Sequence, residues 1–388
     1  MDFALSDEHR QLREAVRDLA GRFDDDYWAE RDALHEFPWD FYAAFASAGW
    51  LGIAIPEEYG GGGMGVSEAA LLLQEVAASG AAMNGCSSMH LTIFGINVVV
   101  KHGAAELRAE VLPKVVAGDL HVCFAVTEPD AGTDTTRVRT EARRDGDDYV
   151  INGHKVWITK AGESQKMMLV TRTTPRDQVE KPTDGLTLFL VDVDRDAMDI
   201  RPIPKMGRNA VASNEVFIDD LRVPASARLG EEGKGFRCLL DGLNPERILL
   251  AHEAVGIGRA ALRRAVDYAA TREVFGRVIG QNQGIAFPLA EADARLEAAE
   301  LVARKAAWLY DRGEPCGREA NMAKLLCADA GFFAADRAVQ THGGMGYAKE
   351  YHVERYFREA RLMQIAPISQ EMVLNYLAQH ALGLPRSY

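Results

Sequence analysis

Cysteines are few in this chain, and no two of them lie close together. Cys86, Cys123, Cys238, Cys316 and Cys327 are five among 388 residues, an odd and scattered set without a C-x-x-C. That pattern argues against a disulfide framework and a zinc site, and it predicts reduced, mostly structural thiols. Long hydrophobic runs are missing too, since none approaches the roughly 18 uninterrupted apolar residues of a membrane helix. The first residues, MDFALSDEHRQL, carry acids where a secretory signal needs a basic segment and then an apolar one. A soluble protein of the cytoplasm is expected, with no membrane partner. Positive charge is in deficit, 44 Lys and Arg against 57 Asp and Glu for a net −13, which argues against nucleic acid or an anionic membrane surface. Neither H-E-x-x-H nor a Ser in G-x-S-x-G occurs, so no metal and no hydrolase nucleophile is expected.

An apolar fraction of 47% over 388 residues supports a sizeable core and two or three domains. Residues 1–120 show helical spacing of apolar residues, in EHRQLREAVRDLAGRF, EAALLLQEVAAS and AELRAEVLPKVVAG, interrupted by PEEYGGGGMG. The glycine run 60–63 follows no βαβ pattern and reads as a plain flexible connection. Residues 121–230 switch to short β-rich runs, HVCFAV, DYVI, HKVWIT, MMLVTR, LTLFLVDV and NEVFI, and Asn152-Gly153 between two of them signals a two-residue hairpin. Residues 231–388 return to long helical patterns suited to a bundle and to subunit contacts. The expected fold class is therefore α+β and multi-domain: an N-terminal helical domain, a middle β-barrel and a C-terminal helical bundle, packed as one unit.

Several stretches have two readings. Gly256, Gly258 and Ala261 in VGIGRAALRRA match G-x-G-x-x-A, but they follow no strand and read as close helix packing. CFAVTEPDAGTDTT places Thr127, Thr133 and a row of turn residues after a strand, where N–H groups and hydroxyls can hold a polar ligand; alone it is an ordinary loop. GHKVWITKAG puts Trp157 and Thr159 on one face of a strand, suited to flank a flat ring or to half-bury a core indole. In LNPERILLAHEAVG, residues 243–256, Asn244 suits an N-cap, Pro245 a first helical position and Glu246 a first turn.

Together, TEPDAGTD, NGHKVWIT, TREVFGRVIGQNQ and THGGMGY, in this order, resemble the acyl-CoA dehydrogenase family across essentially the whole chain. The resemblance implies its fold, with a four-helix bundle at the C-terminus. It also implies FAD, an acyl-CoA substrate, a homotetramer built as a dimer of dimers, and electron delivery to an electron-transfer flavoprotein. Carried over residue by residue, it places Phe124, Val126, Thr127, Gly132, Thr133, Trp157 and Thr159 at the flavin. The rest of the cofactor falls to Arg272, Phe275, Gln283, Gln340, Gly343 and Gly344, usually from a neighbouring subunit, and Ser369 and Glu371 complete the flavin contacts. A guanidinium suits a diphosphate, and glycine lets backbone approach it.

Removing the α proton of a thioester needs a base, and most family members carry its Glu in a C-terminal segment like Q-I-x-E-G-T. Here that stretch reads QIAPISQE, with Ala366 and Pro367 in the place of that acid. The resemblance to the isovaleryl and long-chain types instead implies Glu246 as the catalytic base. Arg247 is expected to orient it, and Asn244, Arg247, Thr133 and Ile368 to line the thioester region. Pro367 removes a backbone donor that relatives aim at the thioester carbonyl, leaving Ala366 or Ile368 to supply one. The acyl pocket is expected between residues 89–96 and the loop after Gly346. Two alternatives stay open: an oxidase or other altered acyl-thioester chemistry, suggested by Ala366-Pro367, and a non-catalytic subunit of a mixed tetramer.

Overall fold

A computed structural model describes residues 4–387, with Phe94 described by its backbone alone; the first three residues of the acid-bearing N-terminus lie outside that range. The chain opens with helices α1 (Asp7–Ala20), α2 (Asp25–Leu34), α3 (Trp39–Ser47), α4 (Val66–Val76), α5 (Ala82–His90), α6 (Asn97–His102) and α7 (Ala105–Ala117). Local chemistry starts the first of them: Ser6 Oγ accepts the His9 N–H at 3.2 Å, and Asp7 and Glu8 sit in the positive first turn. Its buried residues Leu12, Val16 and Leu19 recur at helical spacing and face the core. The glycine run is not a flexible connection. Gly62 and Gly63 donate to the carbonyls of Gly52 and Ile55, and a Cβ on Gly61 would lie 2.1 Å from the Ile55 oxygen. Glycine is required there by close backbone approach.

Strands β1 (Val122–Ala125), β2 (Glu141–Asp145), β3 (Asp148–Thr159), β4 (Lys166–Arg172), β5 (Leu186–Asp192), β6 (Met198–Pro202), β7 (Ser213–Pro224) and β8 (Arg228–Leu229) form one eight-stranded sheet. Its order is β6-β7-β3-β2-β4-β5-β8, with β1 parallel to β4. Side chains from the same face of β1 to β7 meet in a single buried cluster, including Tyr149, Ile151, Leu169, Phe189, Ile218 and Leu221, so the sheet curls around its own core. Asn152-Gly153 is not a hairpin. β3 runs straight through it with a bulge, and the turn lies at Gly146, φ 67°, between β2 and β3. Gly153 is small because a Cβ there would meet Thr140 Oγ1 at 2.4 Å, and Asn152 spends its amide on Asp220 of β7.

Helix α8 (Gly235–Thr271) follows, then a short hairpin of β9 (Glu273–Val274) and β10 (Arg277–Val278), and then α9 (Gln283–Asp311), α10 (Gly317–His342), α11 (Val353–Leu362) and α12 (Gln370–Tyr376). Asn244 and Pro245 do not start a helix, because α8 has already run for more than two turns when it reaches them. The small residues of VGIGRAALRRA are packing surfaces: Cβ atoms on Gly256 and Gly258 would strike the Gln74 oxygen at 2.4 Å and the Leu296 Cδ2 at 2.6 Å. One hydrophobic core joins α1, α3, α4 and α5 to α8, α9, α10 and α11, so the two helical parts fold against each other. Gly317 lies against Asn244, Gly331 against Ala254, and His342 stacks on Tyr268 at 4.2 Å. Thus α8 and α10 run parallel. The turn after Gly346 is carried to the far end of the bundle and cannot line one pocket with residues 89–96. Met89, Ile93 and Ile96 are themselves buried in the cores. All five cysteines are buried and free.

Candidate active site

The two segments expected at a flavin are hydrogen-bonded to each other. Val156 N–H of β3 donates to the Thr127 carbonyl at 3.0 Å, and Lys155 Nζ reaches the Val126 carbonyl at 3.0 Å and Glu128 Oε1 at 2.9 Å. Glu128 is wholly occupied by this anchor, accepting also from Thr140 Oγ1 and from the N–H groups of Arg139 and Thr140. Burial pushes the Lys155 ammonium down to about 8 despite its carboxylate partner. Burial works to raise the pKa of Glu128, but Lys155 and the hydrogen-bond donors outweigh it and hold the carboxyl below its ordinary value. The anchor leaves Gly132 and Thr133 exposed at the loop tip and Phe124, Val126 and Thr127 half-buried along it.

Beside that loop, Trp157 sits at φ 65° in a bulge of β3, with 55% of its surface exposed. A left-handed backbone at a bulky residue costs energy. Here it turns an indole out of the sheet, while Ile158 points into the core and Thr159 lies half-buried on the outer side. An exposed ring bordered by hydroxyls and turn N–H groups fits a flat heteroaromatic ligand. Thr159 Oγ1 accepts from Arg208 Nη2 at 3.3 Å, and the same guanidinium reaches Ser87 of α5 and Ser213 of β7. Burial pulls the Arg208 pKa down to about 10, against the attraction of Glu359 and Glu253.

Glu246 projects from α8 with 27% of its side chain exposed. Its partner is His90, the last residue of α5: His90 Nε2 lies 2.7 Å from Glu246 Oε2, and His90 Nδ1 lies 2.7 Å from Glu253 Oε1, two turns further along α8. Burial opposes charge on His90, yet the two carboxylates outweigh it and raise the imidazole pKa well above 6.5. Burial raises the Glu253 pKa in turn. Arg247 does not orient Glu246. Its Nη1 donates to Asn244 Oδ1 at 3.1 Å, because the helix turns it toward α10 and α12, where burial lowers its pKa and Tyr376 lies near. His90, Glu253 and Arg208 were therefore missed by sequence reading. A lone His at the end of SSMH, a Glu mid-helix and an Arg in a loop carry no local signal; only the fold joins them.

In the loop expected to hold the base of most relatives, the Ala366 N–H already donates to the Leu362 carbonyl at 2.9 Å. Pro367 has no N–H, so the remaining donor among the candidates is Ile368, which is half-buried. Ser369 caps α12, its Oγ accepting the Met372 N–H at 3.4 Å, and Glu371 stands exposed in the first turn.

The remaining cofactor candidates are remote. Arg272 follows the last turn of α8, 26 residues after Glu246, roughly 40 Å along the axis at 1.5 Å per residue. It forms no ion pair among the described residues. Phe275, at φ 54°, is fully exposed at the tip of the β9–β10 hairpin, and Gln283, Gln340, Gly343 and Gly344 are exposed too. Gln340, Gly343 and Gly344 lie where α10 ends, beside the stacked Tyr268 and His342. Glu246 thus lies in the N-terminal half of the long helix, and Arg272 and the hairpin candidates follow its C-terminal end.

No described helix is long and apolar enough to cross a membrane, and no metal-ligating cluster occurs among the described residues. Three family models match in series: acyl-CoA dehydrogenase N-terminal domain over residues 6–119, middle domain over 123–221 and C-terminal domain over 233–382. The acyl-CoA dehydrogenase FadE12 of Mycobacterium tuberculosis is 42% identical, covering 100% of this chain and 99% of its own. Among solved structures, butyryl-CoA dehydrogenase from Megasphaera elsdenii superposes with a TM-score of 0.93 at 30% identity, covering 98% of this chain and 100% of its own. An FAD complex of PigA gives 0.93 at 25% identity over 99% and 100%. Exposed Trp157 beside the Thr127 loop and the matched domains agree, and the chain belongs to the acyl-CoA dehydrogenase family of FAD-dependent flavoprotein oxidoreductases.

Proposed function

We propose that this enzyme removes the α and β hydrogens of an acyl-CoA thioester to give a trans-2-enoyl-CoA, with Glu246 as the base. The observation that carries this reading is the Glu246 carboxylate itself. About a quarter of it is open to solvent at 27% exposure, and it is hydrogen-bonded by His90, whose other nitrogen faces Glu253; the charge of Glu253 is felt by Arg208, which holds Thr159 on the strand that presents Trp157. Bound FAD supplies the acceptor for the β hydride. Glu246 takes the α proton, a role that contributes about 10² to 10⁴-fold to such reactions. Thr127, Thr133, Trp157 and Thr159 border the ring and exclude water from one side of it. Asn244, Arg247 and Ile368 line the thioester region, where the Ile368 N–H is the backbone donor left for the carbonyl.

Arg272, Phe275, Gln283, Gln340, Gly343 and Gly344 serve the dinucleotide of a second copy of the chain, in a homotetramer of two such dimers. Their separation from Glu246, roughly 40 Å along α8 at 1.5 Å per residue, supports this. Ser369 and Glu371 complete the flavin contacts, and an electron-transfer flavoprotein in the cytoplasm accepts the electrons.

Anaerobic mixing with a panel of straight and branched acyl-CoAs tests the reading. Wild type should bleach the oxidised flavin absorbance with one substrate class, and Glu246→Gln should keep its FAD and fail to bleach. Full bleaching by the variant would remove Glu246 from the role. A second reading, an acyl-CoA oxidase or other altered chemistry, is favoured by the engaged Ala366 N–H and the missing one at Pro367. Oxygen consumption with peroxide release, or a product other than enoyl-CoA, would establish it.

A further inference from the structure

Both ring nitrogens of His90 face carboxylates at 2.7 Å, Glu246 on one side and Glu253 on the other. Two such contacts need two protons in the trio, either both on the ring or one on the ring and one on a carboxyl group. Either way the trio carries one net negative charge. Glu253 lies fully buried, and its second oxygen, Oε2, has no hydrogen-bond partner. A buried carboxylate with an unfilled acceptor is costly, and protonation removes most of that cost.

We propose that Glu246, His90 and Glu253 act as one proton-accepting unit, with His90 and Glu253 as positioning residues that hold Glu246 ionised and oriented in the resting enzyme. This rests on Glu246 being the base. When the substrate α C–H bond breaks and a Glu246 O–H forms, the His90 Nδ1–H bond breaks and a Glu253 O–H forms. The products are two carboxylic acids and a neutral imidazole that still donates Nε2–H to Glu246. One proton has entered, and a cluster of three charges, of which only that of Glu246 is partly exposed, has become one with none. Low local dielectric makes that collapse favourable, where a lone Glu246 acid beside an imidazolium and a carboxylate would leave two buried charges.

The surroundings allow this exchange. The groups facing the trio are the Cys86 thiol of α5, whose pKa burial raises well above its usual range, the Arg208 guanidinium near Glu253, and the Arg247 guanidinium of α8, which attracts Glu246 while donating to Asn244. The Lys160 ammonium is occupied by the Ser88 carbonyl at 3.1 Å and by Thr92, and Glu359 is occupied by the N–H groups that begin α5. None of these bonds to His90.

The test uses the FAD-loaded enzyme with Glu253→Gln, an isosteric change, and His90→Gln as a second variant, each checked for flavin content and denaturation midpoint. In wild type the bleaching rate should fall in acid as the unit takes up its proton. In His90→Gln Glu246 loses its imidazolium, and in Glu253→Gln the imidazolium loses one of the two carboxylates that hold it, so the acid limb should move up by about one pH unit, slowing bleaching about tenfold on that limb. Infrared difference spectra of substrate-reduced minus oxidised enzyme should show two new carboxylic-acid carbonyl bands in wild type and one in Glu253→Gln. An unmoved limb in both variants, with the same bands in Glu253→Gln as in wild type, overturns the proposal and leaves His90 a packing residue. If no acyl-CoA bleaches wild type, the functional reading fails instead. Histidine-labelled resting enzyme then decides the trio: an imidazolium at His90 at neutral pH that Glu253→Gln discharges supports it, and a neutral ring in wild type overturns it.

Discussion

Single residues in this protein are often tuned by burial more than by their neighbours in sequence. His121 is enclosed by the rings of Phe37, Trp39 and Tyr42. Burial first, and the nearby Lys160 ammonium second, bring its pKa from 6.5 down to about 3. The unfolded chain therefore binds a proton there between those values while the folded chain does not, so stability falls as pH drops from 6.5. Taking wild type from pH 6.5 to 4.5 should cost about 2 to 3 kcal/mol through this residue alone. Denaturant midpoints at the two pH values should differ less in His121→Leu than in wild type, and equal pH slopes would refute the assignment. Of the proposed site, Glu246 was a candidate already at this scale, because N-P-E-R supplies an acid while Ala366 and Pro367 stand in the loop position of most relatives' base. His90 was not, since a histidine closing an apolar helix reads the same whether it packs or pairs.

Elements position what residues supply. The Thr127 to Thr133 loop hangs from the Glu128 and Lys155 pair, which ties it to β3 and so holds it beside Trp157. Glu128→Ala should cost about 3 to 5 kcal/mol, because it strands a buried ammonium, and it should release flavin during gel filtration. Retention of both stability and flavin would show the anchor to be dispensable. The sign with pH is fixed by the lowered pKa of Glu128: its contribution is complete above the ordinary carboxylate value of 4.5 and is lost as pH falls through the depressed one. Element types and order were legible from periodicity, including the switch to strands and back. The details that failed were those in which tertiary contact overrides a local signal. Asn152-Gly153 is a turn dipeptide that became a bulge under Thr140, and Asn244-Pro245 is a helix-start dipeptide that α8 passes through, its packing against α10 outweighing a lost hydrogen bond.

At the scale of the whole molecule, the long α8 separates Glu246 from Arg272 and Phe275 and leaves the tip of that hairpin exposed. Phe275→Asp and Arg272→Glu, made together, should reduce the mass seen by light scattering and lower flavin content several-fold while leaving the fold by circular dichroism unchanged. Undiminished assembly and flavin content would mean that each chain completes its own cofactor site. The sequence alone determined the family and the helix, β, helix order, and it singled out the acid proposed to stand in for the loop base, because these depend on periodicity and on residue types at fixed spacing. Tertiary structure alone decided what surrounds that acid. It decided that α5 ends against α8, so that His90 falls between Glu246 and Glu253. It also decided that α8 and α10 run parallel, which brings the proposed cofactor residues Gln340, Gly343 and Gly344 to the end of the bundle where α8 reaches Arg272. Both outcomes depend on which helix faces bury against each other, and close packing settles that only when the whole core is assembled.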